Sequence, residues 1–253
     1  MKQLPNLLTL ANLFLGSVAV VFILQSQGFV ASYNGQQYLV SAPPDIYLAC
    51  WLIAAAALAD FLDGLAARLL KAGSAMGREL DSLADVVSFG LAPGLILYEL
   101  LRSAYLMQPD ALNVGWTKVL VALLLPCFAA WRLARYNLGQ GPADHFEGLP
   151  APAAGLFVAS LPLAMLQGSP WLTQWLGKPW LLYLLLAGLG YLMVSRIAFF
   201  SLKPQGPLLK GDNPLRLAVL VFAGLSLLWL HWMALPLWFC FYLLLALVRH
   251  LVS

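Results

Sequence analysis

The chain alternates long apolar runs with short polar breaks, and most of its charges sit at the breaks. A helix needs about 20 apolar residues to cross the hydrocarbon core of a bilayer. Leu7 to Leu24 meets that length, with Pro5 and Asn6 suiting a helix start. Further spans are predicted over Ile46–Leu70, Arg78–Arg102, Thr117–Asn137, Ala151–Gln167 and Leu181–Phe200. A final pair covers Leu215–Trp232 and Leu235–Leu251. Gly90, Pro93 and Gly94 should loosen or kink the third span, and the fifth is short and contains proline. Trp171, Trp175 and Trp180 have the character of membrane-interface anchors. The segments 25–44, 103–116, 138–150 and 201–213 read as loops. The expectation is an all-α, polytopic membrane bundle of eight helices, forming one domain over residues 1–253. Lys2 without a small-residue cleavage site makes the first run a retained anchor rather than a signal peptide.

Composition agrees with this class. Apolar residues make up 62% and charged residues 10% of the 253 positions, whereas a soluble domain carries about 25% charged residues. The net charge of +3 says little about partners, but its distribution is informative. With the N-terminus in the cytoplasm, Lys2, Arg68, Lys71, Arg78, Arg132, Arg135, Arg196, Lys203, Lys210, Arg216 and Arg249 share the cytoplasmic side, 11 of the 14 Lys and Arg. Arg102, Lys118 and Lys178 face out. The reverse topology inverts the ratio and violates the positive-inside rule. No basic run points to nucleic acid. Cys50, Cys127 and Cys240 lie inside apolar runs without zinc-like spacing, so they read as buried small hydrophobes. His145, His231 and His250 are too scattered to form a metal site.

Against that apolar background, Asp60, Asp63, Asp81 and Asp85 stand out, because ionisable groups in membrane spans are costly and mark function. Asp60 and Asp63 are three apart and Asp81 and Asp85 four apart, so each pair shares one helix face. Gly64, Ala67 and Arg68 fall on the first face; Gly77 and Ser88 fall on the second. Lys71–Gly77 reads as the turn of a helical hairpin that brings the two faces together. Carboxylates that close repel unless cations neutralise them. Hard divalent ions, Mg²⁺ or Mn²⁺, suit oxygen ligands and phosphate-bearing substrates. Two such ions about 4 Å apart polarise a phosphoryl group and stabilise attacking and leaving oxygens.

Asp60, Asp63, Gly64, Ala67, Arg68, Gly77, Asp81 and Asp85 together spell D-x2-D-G-x2-A-R-x8-G-x3-D-x3-D. This pattern resembles the signature of the CDP-alcohol phosphatidyltransferases at every fixed position. PNLLTLANLFLG at 5–16, DSLADVVSFGLAPG from Asp81, RLARYN at 132–137 and FEGLPAPAAG at 146–155 are similar to the integral-membrane phosphatidylserine synthase branch. The likeness covers residues from about 5 to about 203, with residues 204–253 an additional helix pair beyond that core.

The resemblance implies transfer of a phosphatidyl group from CDP-diacylglycerol to L-serine, yielding CMP, by a homodimer in a bacterial or archaeal cytoplasmic membrane. It makes Asp60, Asp63 and Asp81 chiefly metal ligands. It makes Asp85 the base for the serine hydroxyl, able to touch the metal as well. It assigns Gly64, Arg68, Ser74 and Gly77 to the CDP-lipid, and places the Pro5–Asn12 end, with Thr9 and Asn12, near the cytidine. Each assignment has a structural rival. For Gly64 the rival is helix packing, for Arg68 snorkelling, and for Thr9 and Asn12 contacts between membrane helices. Arg132 and Arg135 have the donor geometry to hold the acceptor's carboxylate or the transferring phosphate, or are positive-inside anchors. Ser88, on the Asp81–Asp85 face, is a candidate acceptor contact. Three other readings remain: a sister phosphatidyltransferase using glycerol 3-phosphate, inositol phosphate or choline; a membrane prenyltransferase; and a cation transporter. The glycine and arginine spacings fit the prenyltransferase poorly. The repeated halves common in transporters do not occur.

Overall fold

The structure is a computed structural model that describes residues 3–26, 29–33, 36–40, 44–108, 115–138, 146–166, 170–199, 226 and 231–252. Helix α1 (Leu4–Gln25) is followed by a hairpin of β1 (Phe29–Tyr33) and β2 (Gln36–Val40), in antiparallel register with Phe29 opposite Val40. Helix α2 (Pro44–Leu69) returns along α1, and this pair makes the most extensive helix contact in the described bundle. Helix α3 (Ala75–Asp85) runs through a π-helical turn (Val86–Leu91) into α4 (Ala92–Leu106). A short α5 (Thr117–Leu120), a 3₁₀ turn (Val121–Leu123) and α6 (Leu124–Asn137) make the next span. Helices α7 (Ala151–Met165), α8 (Pro170–Leu176), α9 (Pro179–Val194) and α10 (Ala234–Val252) follow.

Among the described residues, four helical stretches are long and apolar enough to cross a membrane: Leu4–Gln25, Asp45–Leu69, Ala75–Leu106 and Thr117–Asn137. Three shorter apolar helices accompany them. The chain is thus an integral-membrane helical protein, as expected. The predicted span Leu215–Trp232 lies largely outside the described residues. The external loop predicted at 25–44 contains the β1–β2 hairpin, and the sixth span ends at Val194 rather than Phe200. There Ala198–Phe199 (β4) leaves the helix to pair with Phe146–Glu147 (β3). Gly148, with φ +75°, makes that turn, and an added Cβ would stand 2.9 Å from the Ser195 carbonyl oxygen.

Burial is inverted relative to a soluble protein. Leu7, Phe14, Leu58, Phe61 and Leu184 are exposed, while Thr9, Asn12, Asp63, Asp85, Ser88 and Arg132 are buried. Small residues let the helices approach closely, the packing mode of membrane bundles. Gly90 and Gly94, one turn apart, receive Pro126 of α6: a Cβ on either would come within 3.0 Å of that proline. A Cβ on Gly155 of α7 would stand 2.9 Å from Phe89 Cα. The expected irregularity of the third span is the π turn. The Ala92 amide reaches back five residues to the Val87 carbonyl, and Pro93 next to it has no amide hydrogen to donate. Pro126 similarly cannot bond to the Ala122 carbonyl, where the 3₁₀ turn interrupts the fourth span.

These geometries set the depth of the acidic residues. Counted from Leu106, about 20 helical residues reach Val87, so Asp85 sits at the edge of the hydrocarbon and Asp81 a turn beyond. Counted from Asp45, the same length reaches to about Leu65, which places Asp60 and Asp63 in the last turns of that span. Both pairs lie near the end of the helices where α2 turns into α3.

Candidate active site

The α2–α3 hairpin is built by its own capping. The Ala72 amide donates to the Ala67 carbonyl (3.0 Å) and the Lys71 amide to the Arg68 carbonyl (3.3 Å). That is a Schellman ending, with Lys71 at φ 49° where glycine is usual. Ser74, in extended conformation, then caps α3 by accepting from the Gly77 amide at 3.0 Å. The turn is therefore shorter than Lys71–Gly77, because α3 already begins at Ala75.

The hairpin and the start of α1 enclose a cavity of about 190 Å³. Its walls include Thr9, Asp63, Gly64, Ser74, Gly77 and Asp81. A Cβ on Gly64 would meet nothing within 4 Å, so this glycine leaves open space in the cavity wall and is not a helix-packing contact. Gly77 is different: a Cβ there would lie 3.1 Å from Asn6 Oδ1, so it admits the α1 terminus to the hairpin. The α3 N-terminus also opens here, and the orphan amides and dipole of a helix start attract anions.

Asp60, Asp63 and Asp81 each offer a carboxylate oxygen within 4.8 Å of the others. Among the described residues, none of the four motif aspartates forms an ion pair; Arg102 and Glu99 do so, 3.2 Å apart, towards the other end of α4. Asp81 Oδ1 is buried without a hydrogen-bond partner. Three converging, unpaired carboxylates with an orphaned oxygen are the donor set of a hard divalent cation, so the residues fit a metal site. Asp85 stands outside that group of three. It is buried, with Asp60, Asp81 and Arg132 as its charged neighbours.

Helix α1 holds two of these carboxylates. Thr9 Oγ1 lies 2.7 Å from Asp63 Oδ2 as a donor, and also 3.0 Å from the Pro5 carbonyl. Asn12 Nδ2 donates to Asp85 Oδ1 at 3.3 Å. Asn12 is fully buried and does not line the cavity. Arg68 folds back along its own helix, Nε donating to the Gly64 carbonyl at 2.9 Å, and its terminal nitrogens make no hydrogen bond among the described residues. Arg132 is buried beside Asp85, and its Nε has no partner among the described residues.

Two expected acceptor contacts are occupied otherwise. Arg135 donates to the carbonyls of Val194 (2.8 Å) and Ser195 (3.2 Å), capping the C-terminus of α9. Ser88 is fully buried, donates to the Asn12 carbonyl at 3.0 Å, and packs on Gly16. Neither lines the cavity, and Asp60, Asp85, Arg68 and Arg132 are likewise absent from its wall. Conversely, Pro5, Asn6 and Arg78 do line it, and Arg78 enters the sequence reading only as a topological charge. The available signal was helical spacing: Arg78, Asp81 and Asp85 share a face at i, i+3 and i+7.

A helical membrane bundle whose carboxylates converge at one end, beside a helix N-terminus suited to phosphate, has the architecture of an integral-membrane enzyme with a site able to take divalent metal. The chain belongs to the CDP-alcohol phosphatidyltransferase family, whose model matches residues 2–198, and that family is in general dependent on divalent metal. It is similar to the CDP-diacylglycerol–serine O-phosphatidyltransferase of Helicobacter pylori, 34% identical over 255 residues, covering 98% of this chain and 90% of that protein. It is 37% identical to the protein of that name from Mycobacterium leprae over 205 residues, 78% of this chain; the chain spans 58% of that longer protein. The Bacillus subtilis protein of the same name is 32% identical over 199 residues, 79% of this chain and 90% of its own length.

Proposed function

We propose that this protein transfers the phosphatidyl group of CDP-diacylglycerol to the hydroxyl of L-serine, giving phosphatidylserine and CMP. The observation that carries the reading is the near-full-length match to the Helicobacter pylori protein, whose name states that donor and that acceptor. The geometry supports it. Asp60, Asp63 and Asp81 would hold divalent metal, two ions of Mg²⁺ or Mn²⁺, which when bound would polarise the phosphoryl group and stabilise the leaving phosphate.

The chain's own groups do the rest. Gly64 leaves room for the nucleotide against α2. The Ser74-capped start of α3 and the free terminal nitrogens of Arg68 receive the diphosphate. The serine oxygen bonds to the phosphorus next to the lipid, the bond from that phosphorus to the CMP oxygen breaks, and Asp85 takes the hydroxyl proton. Arg132, a buried cation beside Asp85, grips the serine carboxylate, for which its planar fork is suited. Placement of most Lys and Arg on one side supports a cytoplasmic active face, where free serine is available. We read the chain as one domain working as a homodimer in a bacterial or archaeal cytoplasmic membrane. Within it α10 packs on α7 through the stacked rings of Phe157 and Phe239, 4.2 Å apart.

The test is a competition panel. Purified enzyme with CDP-diacylglycerol is offered L-serine, ethanolamine, glycerol 3-phosphate and inositol phosphate at equal concentration, and lipid products are resolved. Phosphatidylserine should dominate and ethanolamine should react poorly, since it lacks the carboxylate. Preference for glycerol 3-phosphate or inositol phosphate would keep the family and overturn the acceptor.

A further inference from the structure

The resemblance places Asn12 near the cytidine; in the structure its side chain faces Asp85. Asn12 is completely buried and absent from the cavity wall. Its amide nitrogen faces Asp85 Oδ1 at 3.3 Å. An ionised carboxylate only accepts, so the amide donates. Its backbone carbonyl takes the Ser88 hydroxyl at 3.0 Å. Ser88 lies three residues after Asp85, so Asn12 is tied at two points to the stretch that carries Asp85. Gly16, one turn further along α1, permits the approach: a Cβ there would stand 2.8 Å from Ser88 Cα. Thr9, one turn earlier, holds Asp63 in the same way. One edge of α1 therefore braces two carboxylates of the site.

Asp85 has no ion pair among the described residues, and Asn12 is its hydrogen-bond donor there. A carboxylate free to rotate samples orientations that do not reach the reacting hydroxyl. An uncharged amide fixes one oxygen without neutralising the group. A misplacement of about 1 Å at a reacting centre costs on the order of 10²-fold in rate. We propose that Asn12 is a positioning residue for Asp85, holding Oδ1 so that Oδ2 is left to take the serine proton. This rests on the assignment of Asp85 as base in the preceding subsection.

The test is a double-mutant cycle on the purified full-length enzyme, with kcat and both KM values measured and Mn²⁺ affinity read by electron paramagnetic resonance. Asn12→Ala should lower kcat by about 10- to 100-fold, with KM for CDP-diacylglycerol and Mn²⁺ affinity within about 3-fold of wild type. In an Asp85→Asn background the same substitution should change the residual rate by less than about 3-fold, because the group it acts through is gone. Asn12→Ser carries the same measurements should the alanine variant not fold. A raised KM for CDP-diacylglycerol at unchanged kcat would make Asn12 a donor ligand and overturn the proposal. So would equal losses in both backgrounds, or a parallel loss of Mn²⁺ affinity, which is the mark of general disruption. An Asp85→Asn enzyme within about 10-fold of wild type would instead sink the base assignment itself.

Discussion

Replacing Asp81 by Asn should stabilise the metal-free protein and destabilise the metal-loaded one relative to wild type. Asp60, Asp63 and Asp81 have carboxylate oxygens within 4.8 Å of one another. At that separation and an effective dielectric of about 20, each ionised pair repels by about 3.5 kcal/mol. The substitution removes two of the three pairs at nearly constant volume. If only a third of one pair's repulsion survives solvent screening, the gain is about 1 kcal/mol, or 2–4 °C in Tm for a chain of this size. Metal acts in the opposite sense. Mn²⁺ at 100 times its Kd stabilises the wild type by about 2.7 kcal/mol, and the variant, lacking one ligand, forgoes most of this. The assay is thermal unfolding in detergent followed by fluorescence of the nine tryptophans, in EDTA and in Mn²⁺. The variant should melt above wild type in EDTA and below it in Mn²⁺. Equal Mn²⁺ shifts in both proteins, or a variant that melts lower in EDTA, would refute the reasoning.

Further outcomes follow from the site and its packing. Asp85→Asn should keep the fold and donor binding, measured by retention on immobilised CDP, while turnover falls by about 10²–10⁴-fold, the usual worth of a general base. Arg132→Ala should raise KM for serine more than KM for CDP-diacylglycerol. Arg135→Ala, which removes the cap of α9, should lower Tm and leave the serine KM near wild type. Gly64→Ala should leave Tm unchanged because the added methyl meets open space, while Gly64→Leu raises KM for the donor. Gly16→Ala, driven against Ser88, should cost about 1–3 kcal/mol of stability, the usual penalty of overpacking.

The membrane class, the hairpin and the convergence of the aspartates were legible in the sequence because each rests on local rules. Span length, helical spacing and turn composition suffice to place Asp60 and Asp63 opposite Asp81. What was not legible depends on tertiary contact. Nothing in the spacing of Thr9 and Asn12 states that α1 lies on the acidic faces of α2 and α3, so their hydrogen bonds to Asp63 and Asp85 appear only once the helices pack. Arg132 and Arg135, one turn apart and chemically alike, part company because α9 ends beside one of them. Ser88 lies on the right helical face in projection, yet the close approach of Gly16 seals it from the cavity. The π turn adds a register shift that an α-helical projection of residues 81–94 does not contain.

Attack of the serine hydroxyl on the donor phosphorus is tested most directly by following the oxygen. L-serine labelled with ¹⁸O in its side-chain hydroxyl is incubated with the purified enzyme, CDP-diacylglycerol and Mn²⁺, and lipid and nucleotide products are weighed by mass spectrometry. The account predicts that phosphatidylserine retains the label in full, that CMP carries none, and that CMP appears only as phosphatidylserine does. Phosphatidylserine without the label, or CMP released at the same rate when serine is absent, would contradict it.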